Sequence, residues 1–534
     1  LQTFFTTPTG LLQLTDFMSI HGDEARRLLQ PQREILRIIE VLEGEVEVEV
    51  FYQPRPDYGR HHPKLRLRGA LGFACEYRDQ LFLLHSDMRL ALSREEGCVH
   101  GRITLTPGDK RHLSLSFVQD EIAVILPLGE QADRRMSRTV GWWREWSDRC
   151  TYNGPYRDMV LRSVLTLKLM TYSLSGALIA APTTSLPEEL GGVRNWDYRY
   201  CWLRDAALTL RAFMDLGFTE EGRAFLNWLL HATRLTWPRL QVLYDVHGES
   251  RVPEFFLEHL EGYKGSKPVR IGNAADMQIQ MDVYGEVVLA SYNFVLRGGN
   301  LDRVESRLLS GFGRVVCRHW RDADHGIWER RDQPRHHTYS KLMCWVALDR
   351  LLKLHEWGKV KVPEAEFRRE RDAIRHSIET QAYDERLQSF TVSFEDKEID
   401  SSLLLLSRYG FIDPRDPRMA GTFARIEREL THNGLVHRYP RGYDDFLPPG
   451  EGAFFITSFW SVSYFASVGD LESATKRFER LLHCANDLGL LSEEADVATG
   501  ELLGNFPQAF SHLGLITAAL SLMEAERMQT VTHE

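Results

Sequence analysis

Apolar and polar residues alternate strictly along Gly44-Glu45-Val46-Glu47-Val48-Glu49-Val50, the pattern of a strand with one wet face. Two short strands are predicted over Leu1–Phe17, on either side of Pro8-Thr9-Gly10, and others over Leu81–His85, Arg102–Leu105 and His112–Phe117. Turns rich in Gly, Pro and Asp, such as Pro107-Gly108-Asp109, separate them. This punctuation predicts an antiparallel β-sandwich over residues 1–127. Because the chain starts inside a predicted strand, the sandwich is expected to be truncated, without its first strands.

From Ala132 the period lengthens to that of a helix. Met136–Arg149, with Trp142, Trp143 and Trp146, is predicted helical and placed in a linker over 128–150. Helices are then predicted near 155–176, 203–216, 219–234, 277–297, 303–321, 339–356, 364–381, 399–409, 418–431, 454–468, 471–487 and 507–526. Such a series fits an inner and outer ring of helix pairs over 151–534, or a helical solenoid. The absence of a repeat of fixed period favours the ring. Long loops over 244–273, 322–337, 437–452 and 492–507 carry most of the unusual chemistry, as ligand-binding loops on a rigid scaffold do.

Composition narrows the function. A net charge of −10 argues against nucleic-acid binding, which needs a basic face. Seven scattered cysteines, none in CxxC spacing, fit free thiols in a reducing compartment. With no apolar run near 18 residues and no leader pattern, the expectation is a cytoplasmic protein without membrane contact, although the chain begins at Leu1 and not Met. Oligomeric state leaves no trace in the sequence. There is no HExxH, no phosphate-cradling glycine loop, no dinucleotide fingerprint and no GxSxG elbow, and Tyr443–Gly452 lacks the ligand spacing of a calcium loop. No metal or organic cofactor is expected.

Three stretches stand out. Arg194–Asp205 (RNWDYRYCWLRD) sets aromatic rings among fixed charges just before a helix, which suits a sugar but also an ordinary helix start. In Gly326-Ile327-Trp328-Glu329-Arg330, Glu329 is either a proton donor dehydrated by Trp328 or a surface acid paired with Arg330 or Arg331. Ser492-Glu493-Glu494-Ala495-Asp496 offers either a general base or a solvated acidic loop.

Six blocks taken together resemble glycoside hydrolase family 15, the glucoamylase, glucodextranase and trehalase family, in its prokaryotic branch. They are Arg194–Asp205, Leu260–Ala275, Gln280–Glu286, Gly326–Glu329 with Thr338–Arg350, Glu451–Trp460 and Ser492–His512. The resemblance implies an N-terminal β-sandwich followed by an all-α (α/α)6 barrel, and inverting, exo-acting hydrolysis of an α-glucoside or oligosaccharide that releases β-glucose. By motif position it implies Glu329 as general acid and Glu493 as general base, with Glu494 as the alternative base. Arg204 and Asp205 would hold the terminal glucose beside Trp202, and Gln280, Asp282, Tyr284, Trp328 and Glu451 would extend the pocket. Phe446, where related sequences often have Gly, is expected to narrow the side that receives the leaving group. The substrate is read as glucoamylase-like, with trehalose hydrolysis as the alternative and a non-catalytic glucan-binding role as the reading from another class.

Overall fold

The computed structural model describes residues 1–20, 33–62, 64–119, 125–440, 442, 447–448 and 450–533. The chain forms two compact units, Leu1–Arg149 and Cys150–Glu534.

In the first unit, β1 (Gln2–Thr7) and β2 (Gly10–Met18) form a hairpin in which Thr7 pairs with Gly10, so Pro8-Thr9 is the turn. The remaining strands are β3 (Glu34–Gly44), β4 (Val46–Tyr52), β5 (Leu65–Leu67), β6 (Phe73–Tyr77), β7 (Gln80–Ser86), β8 (Ala91–Ser93), β9 (Cys98–Leu105) and β10 (Lys110–Gln119). One antiparallel sheet has the order β1-β2-β3-β10-β7-β6-β5 and the other β4-β9-β8. Val46, Val99 and Leu105 of the small sheet share a core with Leu12, Ile39, Leu84 and Leu113 of the large one, which makes the pair a sandwich. The chain switches sheets at Gly44, whose φ of +69° and lack of Cβ let it lie against the Thr9 carbonyl. Strands β3, β5, β6 and β8 were not anticipated. In β3, the paired Ile38-Ile39 breaks the alternation, and the other three are short. Helix α1 (Glu130–Asp148) belongs to the same unit, and its buried Arg135 lies 3.4 Å from Glu34 of β3.

Among the described residues the second unit holds twelve α-helices: α2 (Arg157–Leu169), α3 (Ala206–Asp215), α4 (Thr219–Leu235), α5 (Asp282–Leu296), α6 (Arg303–His319) and α7 (Thr338–Glu356). They continue as α8 (Glu364–Ser377), α9 (Leu405–Arg408), α10 (Pro417–Glu429), α11 (Phe455–Val468), α12 (Leu471–Leu482) and α13 (Ala509–His533). The odd-numbered helices touch in the order α3, α5, α7, α9, α11, α13 and back to α3, closing a ring. Of the even-numbered ones, α4, α6, α8 and α12 lie against their sequence neighbours, α10 against the turn Ser401–Leu404 that leads into α9, and α2 against α13. Side-chain chemistry explains which ring is which. Helices α5, α7 and α11 are buried nearly all round, whereas α6, α10 and α12 bury one stripe. This is an (α/α)6 barrel.

Of the predicted helices, that near 399–409 shrinks most in proportion to its length. Ser401–Leu404 is a 3-10 turn and only Leu405–Arg408 is α-helical. All seven cysteines are free and buried. Among the described residues no helix is long and apolar enough to cross a membrane.

Candidate active site

The segments that lead into the inner helices meet at one end of the barrel. Arg204 precedes α3, Gln278 precedes α5, Trp328 and Glu329 precede α7, and Phe454 precedes α11; with Glu493 and Phe510 of α13 they line one open pocket of about 670 Å3.

The stretch 194–205 is held from several directions. Cys201–Trp202 pairs with Leu243–Tyr244, and Leu203 N–H donates to the Val242 carbonyl. Buried Asp197 accepts from Arg199 Nε at 2.8 Å and from Gly272 N–H at 3.0 Å. Arg270 donates to the carbonyls of Val193 and Asn195, and its guanidinium stacks 4.4 Å from the Trp196 ring centre. A rim built this way keeps Trp196, Tyr198 and Arg204 fixed before any ligand arrives.

Glu329 is neither a surface acid nor paired with its neighbours. Arg330 binds Asp332 and Arg331 binds Glu254. Instead, Glu329 Oε1 accepts from Trp202 Nε1 at 2.5 Å and from Arg204 Nη1 at 3.1 Å, leaving Oε2 for another partner. Arg204 Nε also binds Asp205 Oδ1 at 3.1 Å. Burial works against the Arg204 charge, but Asp205 and Glu329 outweigh it and hold its pKa above the ordinary value; burial likewise raises that of Asp205, which Arg204 opposes. The Glu329 backbone sits at φ +55°, a left-handed conformation that costs about 1–3 kcal/mol in a residue with a Cβ. Gln278 Nε2 sustains it by donating to the carbonyls of Glu329 and Arg330, both at 3.0 Å.

Glu493 has a different setting. It is only 7 % exposed, and Oε2 has no hydrogen-bond partner. Burial pushes its pKa well above the usual carboxylate range, with the charge of Glu188 adding to the rise; a hydrogen bond from Tyr198 and the cations Arg438 and Arg204 oppose it. Room for the carboxylate comes from Gly504, where a Cβ would stand 3.2 Å from Oε2.

Behind Glu493, carboxylate oxygens of Glu188, Glu451 and Glu494 lie within 4.8 Å of one another. Arg438 grips Glu451 through Nε and Nη2, the latter at 2.6 Å, and Arg194 approaches it at 3.6 Å. Burial lifts Glu188 to about 7, opposed by Arg438 and reinforced by Glu451. With two guanidiniums already on Glu451, the trio is a charge-sharing cluster adjoining the pocket.

A pocket at one end of an (α/α)6 barrel, lined by two glutamates, aromatic rings and arginines, is a setting for sugar chemistry. The model of Glycosyl hydrolases family 15 matches residues 154–520. The chain belongs to this family and is a glycosidase. It is 37% identical over 505 residues to a trehalase of Mycolicibacterium smegmatis, covering 92% of this chain and 75% of that one. A trehalase of Thermoplasma acidophilum is 33% identical over 515 residues, 96% of this chain and 87% of the other. Among solved structures, a bacterial glucoamylase complexed with acarbose superposes with a TM-score of 0.70 over 96% of this chain and 82% of that one, at 14% identity, which is a likeness of fold.

Within this family 15 pocket the residues singled out in the sequence divide. Glu329, Glu493, Arg204 and Trp328 line it. Trp202 and Asp205 stand behind Glu329 and Arg204 as their partners. Trp328 does not act on Glu329 through its indole N–H, which donates to Asp400 Oδ2 at 2.7 Å; burial raises Asp400 to about 6, opposed by Ser402 and by this bond. Glu494 turns away: its Oε2 accepts from Gly452 N–H at 2.6 Å, beside the cluster of Glu188 and Glu451. Gln280 and Tyr284 are not lining residues. Gln280 donates to Gln278 Oε1, and the Tyr284 hydroxyl donates to the Pro238 carbonyl and accepts from Leu240 N–H. Asp282 is fully buried at the start of α5 with neither carboxylate oxygen bonded, and burial, with Asp324 adding, raises it to about 7. Phe446 lies outside the described residues.

Gln278 and Arg438 were missed. Gln278 sits two residues before the glutamine chosen, and only the path of the loop distinguishes them. Arg438 belongs to a loop without a spacing motif; its single sequence signal is a charge between His437 and Tyr439.

Proposed function

We propose that this chain hydrolyses α,α-trehalose with inversion at one anomeric carbon, using Glu329 as general acid and Glu493 as general base in the domain at 151–534. The observation that carries the reading is the 37% identity to a trehalase sustained over 92% of the chain. The glucoamylase-like reading rests on a fold likeness at 14% identity, which leaves the substrate open.

In the proposed reaction Glu329 gives its proton to the glycosidic oxygen as the bond from that oxygen to the anomeric carbon breaks. Water attacks the same carbon from the opposite face and passes a proton to Glu493. Arg204 and Trp202, both on Oε1, leave Oε2 of Glu329 as the atom that carries the proton. The buried Glu493 is a strong base once ionised, because its proton affinity has been raised by the same burial that excludes bulk water. Charge developing at the anomeric carbon is positive, so it stabilises the ionised Glu493 as the transition state forms.

Trehalose gives this scheme a distinctive product ratio. The attacked glucose leaves as the β-anomer, while the other keeps its α configuration. An NMR time course is therefore expected to show α- and β-glucose appearing in equal amounts before mutarotation. Initial release of α-glucose alone would overturn inversion. Hydrolysis of maltose or isomaltose with trehalose untouched would move the substrate to a glucan.

A further inference from the structure

The inner helices carry the catalytic pocket at their N-terminal ends, and a second cavity, open and of about 1660 Å3, lies among their C-terminal ends. Arg211 of α3, Arg408 closing α9 and the nearby Arg415 line it, against one carboxylate, the exposed Glu524. A smaller neighbouring cavity shares Arg211 and Arg408 and adds Arg297 and Arg350, with no acid in its lining. This concentration of guanidinium occurs in a chain of net charge −10.

The cations are not equivalent. Asp215 pairs with Arg211 at 3.0 Å and with Arg297 by a shorter contact, and Arg350 is bound to Asp349. Arg408 has no hydrogen-bond, ion-pair or ring partner among the described residues. Burial, then the repulsion of Arg211, pushes its pKa down to about 10, and the charges of Glu524 and of the buried Glu286 do not restore it. Arg408 is half-buried at the cavity wall, so its guanidinium faces the cavity and offers its N–H groups to an anion that enters there.

We propose that the cavity at the C-terminal ends of the inner helices binds a small oxyanion-bearing molecule, with Arg408 as its principal ligand and Arg211 and Arg415 as flanking cations. A guanidinium fork presents two parallel N–H groups to a phosphate or carboxylate, which an ammonium cannot. The same lining includes edges of the largely buried Trp460 and Tyr464, against which an organic body attached to the oxyanion can rest.

The test uses the full chain and three probes at constant ionic strength: inorganic phosphate, glucose 6-phosphate and citrate, read by calorimetry and thermal unfolding. At least one probe is expected to bind and raise Tm, and Arg408→Met to weaken that binding about tenfold or more. Without any probe, Arg408→Met is expected to unfold close to the wild-type Tm, since it breaks no hydrogen bond or ion pair, and Arg408→Lys to keep part of the affinity. Binding of inorganic phosphate identifies a free ion as sufficient; binding only of glucose 6-phosphate or citrate shows that the organic body is needed. Absence of heat and of any Tm shift with all three at about 10 mM, the millimolar range of weak binding, would overturn the site. So would undiminished binding in Arg408→Met, or a lower Tm of that variant without probe together with normal behaviour of Arg408→Lys.

Discussion

Glu329 and Glu493 face one pocket from two unlike environments. Glu329 keeps 18 % of its side chain exposed, stands on a left-handed backbone and has one oxygen clamped by an indole and a guanidinium. Glu493 is 7 % exposed, stands next to a small antiparallel ladder, and has an oxygen with no partner and an acid cluster behind it. Burial and neighbours alone thus give two identical side chains different environments, as the proposed division into acid and base requires. One is held in place with a single oxygen left available. The other is largely shielded from water, with one oxygen free of any donor.

The largest expected effect breaks both sides of this comparison. Glu329→Gln and Glu493→Gln are each expected to lower trehalose turnover by about 10^3–10^4-fold, the upper range for general acid–base groups. With α-glucosyl fluoride, whose leaving group needs no proton, Glu329→Gln is expected to recover most of its activity and Glu493→Gln little. Equal recovery in both variants removes the division of labour.

Gly504→Ala sharpens the Glu493 side. A Cβ there meets Glu493 Cβ at 3.1 Å, and φ of +77° adds strain of about 1–3 kcal/mol. The expected outcome is a lower Tm and a kcat reduced by about tenfold or more as the carboxylate is displaced, with KM changed less. An unchanged kcat at reduced Tm means the glycine serves only the loop.

Smaller shifts are expected in the pH profile. Arg438 lowers the pKa of Glu493 and Glu188 raises it. Removing the cation in Arg438→Met leaves Glu493 protonated up to a higher pH, so the acidic limb of kcat/KM moves up. Glu188→Gln moves that limb down. A limb that stays in place in both variants assigns it to a group other than Glu493.

Asp282 is a control: it shares the burial of Glu493 but does not line the pocket. Its folded pKa of about 7 lies above the roughly 3.9 of an unfolded aspartate, so the native state holds the extra proton and wild-type stability falls as pH rises through this window. Asp282→Asn removes the titration. Its stability relative to wild type is expected to increase from pH 4 to pH 7 and then level off, as denaturant unfolding at each pH would show. A difference independent of pH means the group does not titrate there.

Much of this protein is legible in the chain alone. The change from alternation to helical period near Ala132 separates a β region from an α region, because each period buries its apolar residues only in its own kind of structure. Helices apolar all round belong inside and striped ones outside, so the concentric rings are implicit in side-chain chemistry. The family blocks placed Glu329, Glu493 and Arg204, which the structure brings into one pocket. Tertiary structure alone decided the rest. Glu494 enters a ladder pairing with Phe454 and Leu503 while Glu493 stays beside the pocket, and neighbouring residues on extended backbone point to opposite sides. Gln278 rather than Gln280 reaches the Glu329 carbonyl for a similar reason of loop path. The positive φ of Glu329, the grip of Arg438 on Glu451 and the unpaired Arg408 depend on partners 13 or more residues away, or on their absence. Local periodicity records which side of an element is apolar, but it does not record what a polar side chain meets after the chain has closed on itself.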